Sequence, residues 1–249
     1  MKREGKDSME HCYESEHYVF HYESGSKAEQ DMRFIAATQE ACYRHITSIL
    51  GVSKEEKIHY YLYPTPEAVG QECQRRFGEY TPFNGCTASE NEILAVYNAD
   101  IQCIGMHEDT HILMFTLGFS KSSFLEEGIA CAMDALWWGI DNAAWVSYYR
   151  KHKLCPSAAE LLLLSREAFY AVEDHIAYPL AGAFTSYLLM RFGKDLFRRY
   201  YLQESYDATE KTVFGCSLCE IERDFFQYID MRSHDEAVCN RIAELLRQG

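Results

Sequence analysis

The sequence predicts an α+β fold: a small N-terminal sheet with helices packed on it, then a mostly helical C-terminal half. Three observations predict it. Strand and helix patterns alternate up to Asp100. Helical spacing then dominates as far as Gly249, with breaks expected near Gly118, Pro156, Pro179 and Gly193. The 249 residues are 47 % hydrophobic and 25 % charged, ordinary for a globular chain that buries a sizeable core. No internal repeat or low-complexity segment interrupts the pattern. The expectation is one domain over 1–249, with an α/β lobe over 14–119 and a helical lobe over 120–249.

In chain order, residues 1–13 read as a loose polar lead-in. Tyr18 to Tyr22 (YVFHY) is a strand rich in aromatics. Lys27 to Leu50 places Ile35, Ala36, Cys42, Ile46, Ile49 and Leu50 at helical spacing, and Gly51 stops the helix. Ile58 to Tyr63 (IHYYLY) is a second strand, closed by Pro64 and Pro66. Pro66 to Phe77 reads as a helix ending at Gly78. A hairpin follows, turning at Ser89-Glu90-Asn91-Glu92 and returning along Ile93 to Tyr97. Leu161 to Leu164 is expected as buried helix, and Trp137 and Trp138 as core, with a pocket lining as the alternative for one of them.

The net charge of −14 repels phosphate backbones and anionic lipid, so neither nucleic acid nor a membrane surface is an expected partner. Met1 to His17 is charged throughout and lacks an apolar stretch of signal-peptide length. No later run reaches the roughly 20 apolar residues of a membrane span. The expectation is a cytoplasmic protein whose ten cysteines are reduced. The oligomeric state has no signature in the sequence.

His107-Glu108-Asp109-Thr110-His111 is an HExxH. On a helix, residues four apart sit one above the other, so two imidazoles reach one metal. Glu108 is rotated away by about 100° and stands beside the metal as a general base for water. Ile104, Ile112, Leu113, Phe115 and Leu117 support a helix here. A catalytic zinc takes three protein ligands. Glu126 and Glu127 open the next helix, and Ser123-x-x-Glu126 matches a capping box, which occupies Glu126 and leaves Glu127 for the metal. Otherwise both are solvated first-turn acids favoured by the helix dipole.

HEDTH followed by FLEEGIA resembles the HExxH and W-L-x-E-G-x-A pair of the gluzincins, the thermolysin-like and aminopeptidase-like zinc peptidases, and is most similar to the compact peptidase-MA-like domains. Tyr178 to Phe184, then Tyr187-Leu188 and Arg191-Phe192-Gly193, is similar to that group's tyrosine, small-residue helix and Tyr-Gly ending. The resemblance covers residues 17–230 and is most specific over 107–130. It implies a thermolysin-like catalytic core and a zinc peptidase, with His107, His111 and Glu127 as ligands and Glu108 as base. Tyr178 corresponds to the tyrosine that stabilises the oxyanion; its alternative is a packed aromatic. The resemblance also makes Ile93 to Tyr97 the sheet edge along which an extended peptide lies.

The sequence departs from the group in places. Cys131 stands where thermolysin-like enzymes carry a carboxylate that orients a metal histidine, so that support must come from elsewhere, Asp134 or a backbone carbonyl. Asp109 replaces an apolar residue and is expected to face solvent. Glu90-Asn91 reads as turn, Cys216-x-x-Cys219 as core or chance, and His175 as a surface or core residue. The leading expectation is a Zn2+ metallopeptidase acting on a peptide or protein substrate. Its alternatives are a silent binding or regulatory module and a zinc hydrolase of a non-peptide amide or ester.

Overall fold

The structure, a computed structural model, describes Met9 and residues 11–206, 208–232 and 235–248. Most of the polar lead-in, residues 1–8 and 10, lies outside them. The chain divides into two compact units, residues 1–116 and 117–249. Among the described residues, no helix is long and apolar enough to cross a membrane.

The first unit is built on five strands: β1 (His11–Glu14), β2 (Tyr18–Tyr22), β3 (Ile58–Tyr63), β4 (Gly85–Ser89) and β5 (Glu92–Val96). Their order is β1-β2-β3-β5-β4. β2, β3 and β5 run parallel, and β1 and β4 close the two edges antiparallel. Residues 11–13, expected to be loose, are therefore an edge strand. β5 is interior, and β4 is the edge beside it. The assignment of Ile93 to Tyr97 as the open edge is thus corrected, because the neighbour of a strand is set by pairing at a distance rather than by its position in the sequence.

Three helices complete this unit: α1 (Lys27–Leu50), α2 (Pro66–Phe77) and α3 (His107–Phe115). The Ser26 and Thr65 hydroxyls cap the starts of α1 and α2, and Gly51 and Gly78 end them in the left-handed region. The two-residue period sorts side chains to opposite faces of the sheet. Tyr63, Leu94 and Val96 pack with Val69 and Cys73 of α2. Tyr18, Phe20 and Tyr60 lie on the other face, where Tyr18 meets Tyr43 of α1.

The second unit is helical: α4 (Ser123–Asp134), α5 (Asn142–Lys151), α6 (Ala158–Leu162), α7 (Arg166–Tyr170), α8 (Asp174–Tyr201), α9 (Thr209–Phe214), α10 (Leu218–Met231) and α11 (Glu236–Gln248). The sequence does not predict its two short strands, β6 (Leu136–Trp137) and β7 (Ile140–Asp141). Trp138 and Gly139, both at positive φ, turn between them, as a two-residue hairpin of this hand requires. α4 and α8 pack face to face. A Cβ on Gly128 would lie 2.4 Å from Thr185 Oγ1 and 2.8 Å from the Ala181 carbonyl oxygen, so only glycine permits the approach. Phe124, Phe184 and Phe225 fill the space around it edge to face, each contributing about 1.5–3 kcal/mol by burial. Trp145, Tyr149 and Ile242 form a second cluster.

Of the predicted breaks, Gly193 interrupts α8 with a non-helical backbone, while Pro179 lies inside the helix without ending it. Pro179 is buried in that packing, which outweighs the roughly 3 kcal/mol a proline costs a helix. Leu163 is 59 % exposed and Trp138 51 % exposed. Neither is core, because both sit just past the end of a short element; Trp138 instead lines a pocket, the alternative reading for one of the two tryptophans.

Candidate metal centre

α3 begins at His107 itself and ends in a cap at Thr116. His107 and His111 follow each other on one face, their rings 5.0 Å apart and steeply inclined at 79°. Thr87 Oγ1, on the edge strand β4, donates to Glu108 Oε2 at 3.0 Å. A Cβ on neighbouring Gly85 would stand 2.5 Å from Cys103 Sγ, so the glycine makes room for that thiol, while Glu108 Oε1 at 3.4 Å would be in ordinary contact.

Asp109 is fully buried, not solvated. The Tyr18 hydroxyl donates to its Oδ2, and Gln39 Nε2 donates to the same oxygen at 3.0 Å. Gln39 also grips Gly105, donating to its carbonyl at 3.0 Å and accepting from its N–H at 2.8 Å. Burial, followed by the Asp109 charge, pushes the Tyr18 hydroxyl well above its ordinary pKa, so it stays a donor. The network ties the first turn of α3, which carries His107, to α1 and β2. A carboxylate in this interior is tolerated only because it is hydrogen-bonded.

His107, Glu108 and His111 belong to residues 1–116; Glu127 and Tyr178 belong to 117–249. In the second unit the expected capping box at Ser123 is absent. Ser122 is the N-cap, and its hydroxyl donates instead to the Leu162 carbonyl at 2.8 Å. Arg166 Nη1 donates to Glu126 Oε2 at 3.2 Å. Glu127 is only 8 % exposed and accepts from the Tyr170 hydroxyl at 2.7 Å. Tyr170 is not legible in the sequence as a partner of Glu127. No motif marks it, and only the register of α7 against α4 brings it to Glu127.

Tyr178 is half-buried, its ring stacked on Trp137 at 4.9 Å. Burial, then the Glu127 charge, raises its hydroxyl far above the ordinary tyrosine value. It is thus a packed aromatic whose hydroxyl stays protonated. Cys131 is buried, and its carbonyl accepts from Asn142 Nδ2 at 2.8 Å. Asp134 is the last residue of α4. His175 and Trp138 line a cavity of about 390 Å³ with Val172, Glu173, Leu245 and Leu246. Cys216 and Cys219 are free thiols; Cys219 is exposed in the first turn of α10. The capping box of this unit is at Ser217 and Glu220, ahead of α10.

No protein-family model matches the chain, and no curated protein matches it. Among solved structures, an M1 zinc metallopeptidase from Deinococcus radiodurans aligns with a TM-score of 0.43 and 16 % identity, over 90 % of this chain and 51 % of that one. A mutant form of an M1 zinc metallopeptidase from the same organism aligns with the same TM-score of 0.43 at 15 % identity, over 90 % and 52 %. The chain spans about half the length of these solved enzymes.

Proposed function

We propose that the chain is a zinc-dependent metallopeptidase that hydrolyses a peptide or protein substrate. The observation that supports this best is α3, where two imidazoles share one face, rings 5.0 Å apart, and Glu108 lies beside them held by Thr87. His107, His111 and Glu127 would hold the metal. Two neutral imidazoles and one carboxylate suit zinc, and three protein ligands are the number a catalytic zinc takes. When bound, zinc supplies Lewis acidity, polarising a carbonyl and making water acidic enough to attack near neutral pH.

The remaining chemistry belongs to the chain. Glu108 accepts the proton of the attacking water and delivers it to the leaving amine. The Thr87 hydrogen bond restrains its carboxylate between the two transfers. Tyr178, kept protonated by burial, donates to the oxygen on which negative charge develops.

The test is zinc content by elemental analysis, followed by cleavage of a broad peptide library by wild type and Glu108→Gln. About one zinc per chain, with cleavage lost in Glu108→Gln, supports the reading. Zinc without cleavage would move the assignment to a binding module or to a hydrolase of a non-peptide amide or ester. A chain that takes up no zinc overturns it.

A further inference from the structure

α4 carries two adjacent carboxylates, and α7 treats them differently. Arg166 and Tyr170 are four apart on α7 and so share one helical face. Arg166 reaches Glu126 at 3.2 Å, and its guanidinium also lies 5.1 Å over the Tyr170 ring. The Tyr170 hydroxyl lies 2.7 Å from Glu127 Oε1. One turn of α7 thus pairs Glu126 with a cation and Glu127 with a neutral donor.

The distinction has a chemical consequence. A carboxylate paired with a guanidinium has much of its charge answered already. One that accepts from a phenol, neutral at physiological pH, has its orientation restrained without a counter-charge from that partner. Metal ligands are oriented by such outer hydrogen bonds, and removing one commonly costs 10- to 100-fold in affinity.

We propose that Tyr170 is a positioning residue for Glu127: its hydroxyl fixes the carboxylate that serves as the third metal ligand. Arg166, clamping Glu126 and stacking on the Tyr170 ring, keeps the neighbouring acid apart and the phenol in place. The inference rests on the zinc reading above and adds to it a residue that touches neither metal nor substrate.

The test is zinc affinity of the full chain by chelator competition, together with the visible absorption of the cobalt-substituted protein. Tyr170→Phe removes one oxygen atom. It is expected to bind zinc about 10- to 100-fold more weakly and to shift the cobalt bands, while the thermal midpoint of the metal-free protein stays near wild type. Glu126→Gln is expected to bind zinc within about twofold of wild type, since it loses no ligand. Should Tyr170→Phe fold poorly, Tyr170→His, which restores a ring donor, is compared with Tyr170→Leu, which does not; tighter zinc binding by the histidine variant is expected. Wild-type zinc affinity and an unshifted cobalt spectrum in Tyr170→Phe, or equal affinity in the histidine and leucine variants, overturn the inference while leaving the zinc reading intact. A wild-type chain that binds no zinc overturns the zinc reading first, and this one with it.

Discussion

Asp109 and Glu127 are both carboxylates on helices that carry candidate metal ligands, and both accept from tyrosine hydroxyls. Asp109 is fully buried and takes two neutral donors, Tyr18 and Gln39, from β2 and α1. Glu127 keeps some exposure and takes its phenol from a five-residue helix at the surface. The first is committed to holding one turn of α3 in place. The second is restrained but still chemically available. The same pairing of groups anchors backbone at one place and, on the proposed zinc reading, restrains a ligand at the other.

Predictions that separate anchoring from chemistry sharpen this comparison. The largest effect belongs to Glu108→Gln: turnover on a cleaved peptide should fall by roughly 10²- to 10⁴-fold, with zinc content and thermal midpoint unchanged. Tyr178→Phe should cost roughly 10²- to 10³-fold in kcat with zinc retained, its ring still stacked on Trp137. An unchanged kcat would make Tyr178 packing alone. Asp109→Ala leaves the Tyr18 hydroxyl and the Gln39 amide without their buried acceptor. Urea denaturation should show a loss of about 3 kcal/mol. Activity lost at full stability would instead place Asp109 with the chemistry and break the comparison.

Smaller effects test the scaffold. Gly128→Ala should destabilise by about 1–3 kcal/mol, because the added methyl meets Thr185 and the α8 backbone. The smallest is electrostatic. Burial opposes ionisation of Glu40, but hydrogen bonds from His17 and Ser15 outweigh it and hold the carboxyl below its ordinary 4.5. A depressed folded pKa contributes stability that is present above 4.5 and lost as pH falls through the folded value. Glu40→Gln should therefore lower stability at neutral pH by about 1 kcal/mol and flatten the decline on acidification. An unchanged acid limb in unfolding curves would remove Glu40 from that role.

What could be read from the sequence was what local chemistry determines. The bounds of β2, α1, β3 and α2 follow from aromatic strand runs, apolar periodicity and terminal glycines, and the observed elements have those bounds. The HExxH likewise carries its own geometry, since helical spacing alone stacks His107 over His111. The misreadings share a cause in tertiary contact. Asp109 is buried by a tyrosine 91 positions away. The local pattern offered Ser123 and Glu126 as a capping box, but Arg166, 40 positions on, claims Glu126. β5 is interior because the distant β3 pairs along the side its hairpin partner β4 leaves open, and an edge is a property of the whole sheet. Tyr170 carried no local mark, since α7 is only five residues long and its meaning lies in what it faces.

The turn at Trp138 has an optical consequence. The chain holds three tryptophans, and their surroundings differ. Trp145 is fully buried, its indole N–H donating to the Trp137 carbonyl at 2.9 Å. Trp138 is half in water, and Trp137 lies flat against Tyr178. Acrylamide should quench the red edge of the fluorescence, from Trp138, and leave the blue component of Trp145. A ligand that engages Tyr178 should perturb Trp137 between them, so the unlabelled protein carries its own emission probe for binding.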